Sequence, residues 1–556
     1  MASIVSVACS GRIGDPNAAG GLGKPGTPGG AAGSGSSKSP GAARGNGGLP
    51  ALPDGSFSSK ATPLRRLTST QLDNTVRALF PGVALPATLF PSTIAGRDYT
   101  TFPQATVVTE DVAESMRSAA SAIAKAAAAD VNKLMGCAPA TAGCADKLIG
   151  ALGESAYRRP LTVEEHDILR ALWDKDTQAT PVQRAQAVVE AILQSPQFLY
   201  LDDKSGKVDA SDPTRVTLDG YALASRLAYL LWNSPPDAAL IAKARAGKLA
   251  SRDELLAEAK RLLADPRAHP VVAAFHVEYL QLTKLDAAQR DAALFPSFGP
   301  ELAASMKKAF ERFVEHVVFD SKGTLAELLE SRVAFVNGRL AAVYGVSSSS
   351  SGDDDYRQVQ LPQGERAGML TRAAFAAAHA NTRESAPVHR GAVVLERLFC
   401  RELEPPPGVN ATLPQLQDGE SPRERLARHR ADPACSACHD MIDPVGFAFE
   451  SFDAIGSHRI AYASQVPIDA SGDVPALGVK FGDGVELSAQ LAKSDIAMSC
   501  YAVHWLRYAL GRRLAPDDDD LAATVQHQFI KSGGNIQALL LAIVGSDTFR
   551  QRPVNP

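Results

Sequence analysis

Cys435, Cys438 and His439 stand in the order Cys-x-x-Cys-His. Two thiols at that spacing can add across the vinyl groups of a haem, and the imidazole that follows can become the first axial ligand of its iron. Two other readings stay open. The same three side chains could form half of a zinc site, which would need another cysteine or histidine held close in space, or the pattern could be coincidence. No second Cys-x-x-Cys completes a zinc ribbon. An oxidising compartment favours haem, so the remaining cysteines matter. Once Cys9 is set aside, four are left. Cys137 and Cys144 bracket a short loop, close enough for a local disulfide, and Cys400 with Cys500 follows by elimination. Free buried thiols are the alternative, which export would disfavour.

The residues after the motif have physical tasks they could perform. Asp443-Pro444 is expected to end the helical turn that carries the motif. Gly446 would let the backbone pass close to a porphyrin, and Phe447 or Phe449 would pack on it. Glu450 and Asp453 either accept hydrogen bonds from nearby arginines, steer the His439 ring, or form ordinary surface pairs. For the second axial position, His379 on a separate helix ranks above Met498, with an open position third and a plain core or surface histidine as the alternative for His379. Met441 is too near His439 in sequence to reach the opposite face of the same iron, and His429 should line the same side as the motif.

The elements that must position these groups read as helices. Thr68 with Gln71 and Thr162 with Glu165 fit capping boxes ahead of apolar residues at helical spacing, and Thr180-Pro181 opens another helix. Further helices are read at Thr217–Trp232, Arg252–Leu263, Phe275–Leu282, Glu301–Phe319 and Leu325–Tyr344, and a basic one at Ser421–His429 leads into the motif. Ser347 to Asp355 is a low-complexity loop, and Asp517 to Asp520 stand where a helix N-terminus stabilises negative charge. Strand-like alternation is scarce before residue 460. The expected fold is therefore mainly α, as several sequential helical units, with a small β-hairpin element confined to about 460–487. The expected boundaries are 1–62 for a leader and linker, 63–136, 137–205 and 206–346 for helical units, 361–470 for the motif-bearing unit and 471–556 for a C-terminal helical unit.

Composition limits what such a chain can do. With 556 residues, 45% hydrophobic and 21% charged residues and a formal net charge of -4, it has ample core and no basic excess for nucleic acid. No apolar run is long enough to span a bilayer, and the Gly-rich N-terminal runs lack the Lys-Ser/Thr of a phosphate loop. Met1 to Cys9 resembles the tail of a bacterial lipoprotein signal in which Cys9 would carry the lipid. A charged n-region is missing and the apolar run is short, so either the true start lies upstream or the likeness is accidental. Residues 11–62, rich in Gly, Ser, Pro and Ala, read as a flexible leash.

The order of segments resembles secreted bacterial proteins of the planctomycete cytochrome c type, built from consecutive domains of unknown function. The resemblance rests on Arg66-Leu67-Thr68, Asn74 to Arg77, Tyr157 to Leu161, Gln194 to Phe198, Leu231-Trp232 with Pro236-Asp237, and Phe335 to Asn337. It continues through Arg366 to Thr371, Ser385 to Gly391, Pro405 to Val409, Cys435 to Asp453, and Tyr508 to Arg512, and so covers the chain from about Leu64 to Arg552. The stretch holding His379 also resembles the family. Where the family usually reads Thr-Ser-Pro-Val, this chain has Ser385-Ala386-Pro387-Val388, which lacks one hydroxyl. The resemblance implies one covalent haem c per chain, held by Cys435, Cys438 and His439, with Pro444, Gly446 and Phe447 nearby. The function expected is electron transfer or redox chemistry in the periplasm or at the cell surface, with an envelope redox partner and a membrane attachment only through Cys9. A haem-dependent oxidoreductase or peroxidase-like enzyme is the first alternative, and a surface scaffold carrying haem the second.

Overall fold

A computed structural model describes residues 64–87, 89–93, 98–201, 205–403, 414–415, 417, 419–431 and 433–554. The lipid-anchor and leash readings of residues 1–62, and Pro405 to Val409, lie outside them.

Helices begin where their capping residues stand. Thr68, Thr162 and Thr180 each accept a bond from the third helical amide, and Gln71, Glu165 and Gln183 reciprocate, opening Ser69–Leu79, Val163–Asp174 and Pro181–Gln194. These helices, with Glu110–Ala128 and Cys144–Tyr157, bury one apolar cluster built around Leu72, Val76, Ile149, Val188 and Ile192. The alanines at 120, 124, 127 and 128 on the inner face of Glu110–Ala128 are buried, and this helix lies against Pro181–Gln194. A disulfide between Cys137 and Cys144, with Cα atoms 6.0 Å apart, closes the loop in front of Cys144–Tyr157. The segments 63–136 and 137–205 thus share a single core.

A second, larger core runs from Tyr99 to Phe549 and gathers the rest of the described chain. Its main helices are Gly220–Trp232, Arg252–Leu263, Ala268–Tyr279, Pro300–Glu315, Pro387–Leu398, Pro433–Phe447, Asp495–Leu510, Asp519–Lys531 and Ile536–Val544. Cys400 and Cys500 form a disulfide that ties the end of Pro387–Leu398 to Asp495–Leu510. Asp518, at the start of Asp519–Lys531, holds Arg512 through two bonds of 2.6 and 3.0 Å. No helix among the described residues is long and apolar enough to cross a membrane.

The mainly α reading holds, and a hairpin of Gly472–Val474 with Val479–Phe481 lies inside the expected 460–487 window. The β structure is not confined there, however. Gly206–Val208, Arg215–Leu218 and Gln551–Pro553 form an antiparallel sheet, and Val333–Val336 pairs with Arg357–Gln360. Two stretches read as continuous helix are therefore split. Asp219 caps Gly220–Trp232 through the amide of Ala222, which leaves Arg215–Leu218 free to extend. Asn337 likewise caps Gly338–Tyr344, cutting Leu325–Tyr344 into helix, strand and helix. A four-residue strand carries too few alternations to be told from a helical turn by periodicity.

Candidate haem-attachment site

The motif lies on the helix Pro433–Phe447, so Cys435 and Cys438 sit one turn apart on one side of it. Both are half-buried free thiols, and Cys438 packs on the edge of the large core. The helix starts with a proline, favoured in a first turn, and runs on through Pro444 instead of ending there, contrary to the expectation from sequence. Pro444 removes the amide that would bond to the carbonyl of Asp440, an exposed residue. The chain turns out of the helix only at Ala448 to Glu450.

Asp443, fully buried, is the residue that steers His439. Its Oδ1 accepts a 2.8 Å bond from Nδ1 of the ring one turn earlier. With its proton on Nδ1, the imidazole keeps the Nε2 lone pair for a metal, the arrangement common to metal-bound histidines. Arg430 Nε stands 3.5 Å from the second oxygen of Asp443 and adds charge compensation without a formed hydrogen bond. The His429 ring meets His439 edge-on, with centroids 4.9 Å apart.

Glu450 and Asp453 serve elsewhere. Glu450 is buried, accepts a 2.9 Å bond from Ser385 Oγ and lies within 3.4 Å of Arg459 and 3.7 Å of Arg390. Asp453 accepts the amides of Ile455 and Ser457 and so shapes the turn that follows. Neither bonds to His439.

Gly446 and Phe447 each have a packing task in this fold. A Cβ on Gly446 would fall 2.0 Å from the carbonyl oxygen of Pro387, and one on Gly391 would fall 2.2 Å from that of Ile442. The two glycines let Pro387–Leu398 and Pro433–Phe447 cross backbone to backbone. Phe447 is buried with the guanidinium of Arg423 4.2 Å over its ring, and Phe449 packs against Phe375. Arg390 completes the clamp. It is fully buried and donates to the carbonyls of Phe449, Phe452, Ala376 and Asp453. Ser385 keeps its bond to Glu450 although Ala386 replaces the family's second hydroxyl, and Pro387–Leu398 has no side-chain cap at Ala386.

The two candidate distal ligands each have neighbours of their own. His379 is buried, its Nε2 bonds to the carbonyl of Leu280 at 2.8 Å, its ring packs on Phe375, and burial lowers its pKa to about 3. Its Nδ1 has no hydrogen-bond partner. Met498 lies on Asp495–Leu510 with its sulfur 3.6 Å from the Cβ position of Gly534.

The donor set fits a haem better than a zinc ion. Among the described residues, ligand atoms of Cys435, Cys438 and His439 do not converge on one point; the group of three that does is Cys400, Cys500 and His504, whose sulfurs are already joined. Thioether attachment would need two free thiols and iron ligation one imidazole nitrogen, and the helix carries both.

Five family models match in succession along this fold. They are the proteins of unknown function DUF1587 at 65–129, DUF1595 at 144–203, DUF1592 at 218–346, DUF1588 at 366–462 and DUF1585 at 477–549. The motif and its docking helix fall inside the fourth. The chain belongs to the family built from this series of domains, the planctomycete cytochrome c type. Neither the curated proteins nor the solved structures contain a match.

Proposed function

We propose that this is an exported c-type haem protein that carries one haem at Cys435 and Cys438, with His439 as an axial ligand, and moves electrons in the bacterial cell envelope. The contrast among its cysteines carries the reading. Cys137, Cys144, Cys400 and Cys500 are spent in disulfides, as an oxidising compartment demands, and the two in the Cys-x-x-Cys-His helix stay free. When bound, the haem would supply one-electron chemistry at its iron. The chain supplies the rest: the thiols tether, Asp443 fixes the His439 tautomer, and the Gly391–Gly446 crossing with Arg390 fixes the helix against the core. The redox partner belongs to the same envelope, and any membrane attachment runs through Cys9.

A second reading, a haem-dependent oxidoreductase or peroxidase-like enzyme, is favoured by one observation. His379 Nε2 is bonded to the backbone carbonyl of Leu280, so that ring would have to give up this bond before it could serve a haem held by His439. The absorption spectrum of the purified exported protein, oxidised and dithionite-reduced, separates the two. A six-coordinate low-spin spectrum supports electron transfer, a high-spin one supports catalysis, and a spectrum without haem bands overturns both.

A further inference from the structure

A cleft of about 560 Å³ opens where four of the five family segments meet: Arg65 comes from the first, Leu201 from the second, Arg226 from the third, and Leu510, Arg512 and Phe549 from the last. It shares no lining residue with the motif helix or the helix it docks on. Five guanidinium groups, from Arg65, Arg215, Arg226, Arg512 and Arg552, line it against two carboxylates, Asp517 and Asp518.

The fold sets these arginines in place. Arg65 donates to the carbonyl of Ala509 at 3.1 Å and Arg226 to that of Phe549 at 2.8 Å, contacts between residues hundreds of positions apart. Arg552 donates to the carbonyl of Pro553 at 2.8 Å, Arg215 lies 3.3 Å from Asp212, and Asp518 is occupied by holding Arg512. Gly511, at φ +65, makes room for this packing: a Cβ there would stand 2.7 Å from the carbonyl of Thr101 and 2.9 Å from Cδ of Arg65. Arg65, which directly precedes the motif Arg66-Leu67-Thr68, and the motif Tyr508 to Arg512, which the haem reading leaves without a task, therefore close on each other at this cleft. Leu201, Leu510 and Phe549 give it apolar walls.

We propose that the cleft binds a small polyanion, a molecule with two or more carboxylate, phosphate or sulfate groups and an apolar face. The chemistry follows from the lining. Guanidinium forks match planar carboxylate and tetrahedral oxyanions through paired bonds, backbone carbonyls and carboxylates of the fold fix where the five forks stand, and the volume falls within the range of small-molecule sites.

The test is calorimetric titration of the full-length protein with citrate and with inorganic phosphate, on wild type and on Arg226→Gln, Arg552→Gln, Thr548→Glu and Arg117→Gln. Thr548 lines the cleft, and Arg117, an exposed arginine paired with Glu114, does not. Saturable citrate binding is expected in wild type and in Arg117→Gln, tighter than phosphate, and at least tenfold weaker in the other three. Thr548→Glu leaves every arginine in place, so its loss of binding with an unchanged melting curve cannot be assigned to misfolding. Absence of saturable binding of either anion to wild type, or equal citrate binding in all variants, overturns the proposal. The readout needs no haem, so the Cys435→Ala protein should bind citrate as wild type does.

Discussion

His439 and Asp443 are one helical turn apart, and that spacing ties the histidine to a buried carboxylate whose expected task was only to end the helix. A carboxylate on Nδ1 makes the imidazole a stronger donor and places negative charge beside whatever metal Nε2 holds. Asp443→Asn should therefore shift the midpoint potential of the haem protein in the positive direction, measured by spectroelectrochemical titration; an unchanged or more negative potential would contradict the role. His379 gives a second prediction at this scale. With Nε2 committed to Leu280, His379→Ala should leave the visible spectrum in place while lowering stability. A change from low-spin to high-spin bands would restore it as a ligand. The three motif residues were legible in the chain because their chemistry depends on spacing along it. The steering role fell to Asp443 and not to Glu450 or Asp453, although an acid one helical turn after the histidine was there to be read. Reading Asp443-Pro444 as a helix end hides that pairing.

The element that decides the site is the crossing of Pro387–Leu398 with Pro433–Phe447. Its closeness is a matter of glycine. A methyl group on Gly446 or Gly391 meets backbone carbonyls that cannot swing aside, so Gly446→Ala or Gly391→Ala should destabilise the fold by about 3 kcal/mol, the upper part of the usual overpacking range. Chemical denaturation of each variant checks this, and a cost under about 1 kcal/mol would mean that the helices separate easily. The Ser385 to Gly391 stretch was recognisable from sequence, but its task was not, because Pro387 and Gly446 meet only through tertiary structure. Helices were legible wherever a cap and an apolar face coincided, as at Thr68, Thr162 and Thr180. The strands at Arg215–Leu218 and Val333–Val336 were missed because each abuts a helix with no break in hydrophobicity, and only Asp219 and Asn337 mark the joint.

On the scale of the whole molecule, two cores and two disulfides hold the described chain. The loop closed by Cys400 and Cys500 is long, with a sequence separation of 100. Removing it in a Cys400→Ala/Cys500→Ala variant should cost roughly 4 to 5 kcal/mol on the chain-entropy estimate, seen as a lower denaturation midpoint than wild type. The large core also contains His276, held at about 4 by burial, and His504, held well below its ordinary value, besides His379 at about 3. Each is protonated near pH 6.5 in an unfolded chain and stays neutral when folded, so the unfolded state binds more protons below that pH. The stability these histidines contribute is fully present above about pH 6.5 and falls as the pH drops toward 4, by up to about 1.4 kcal/mol per pH unit each. Glu278, whose pKa burial raises, opposes them with a single proton. The melting temperature should accordingly fall between pH 7 and pH 4, and a flat or rising profile would contradict the neutral burial of the three rings.

The central claim, covalent haem at Cys435 and Cys438, is tested most directly by a haem-peroxidase stain of the denatured protein on a gel. The protein must be exported from a host with haem c maturation, as wild type and as the Cys435→Ala, Cys438→Ala and double variants. A stained band is expected for wild type, a weaker one for each single variant and none for the double. A wild-type protein that is exported, carries both disulfides and does not stain would contradict it, as would a double variant that stains as strongly as wild type.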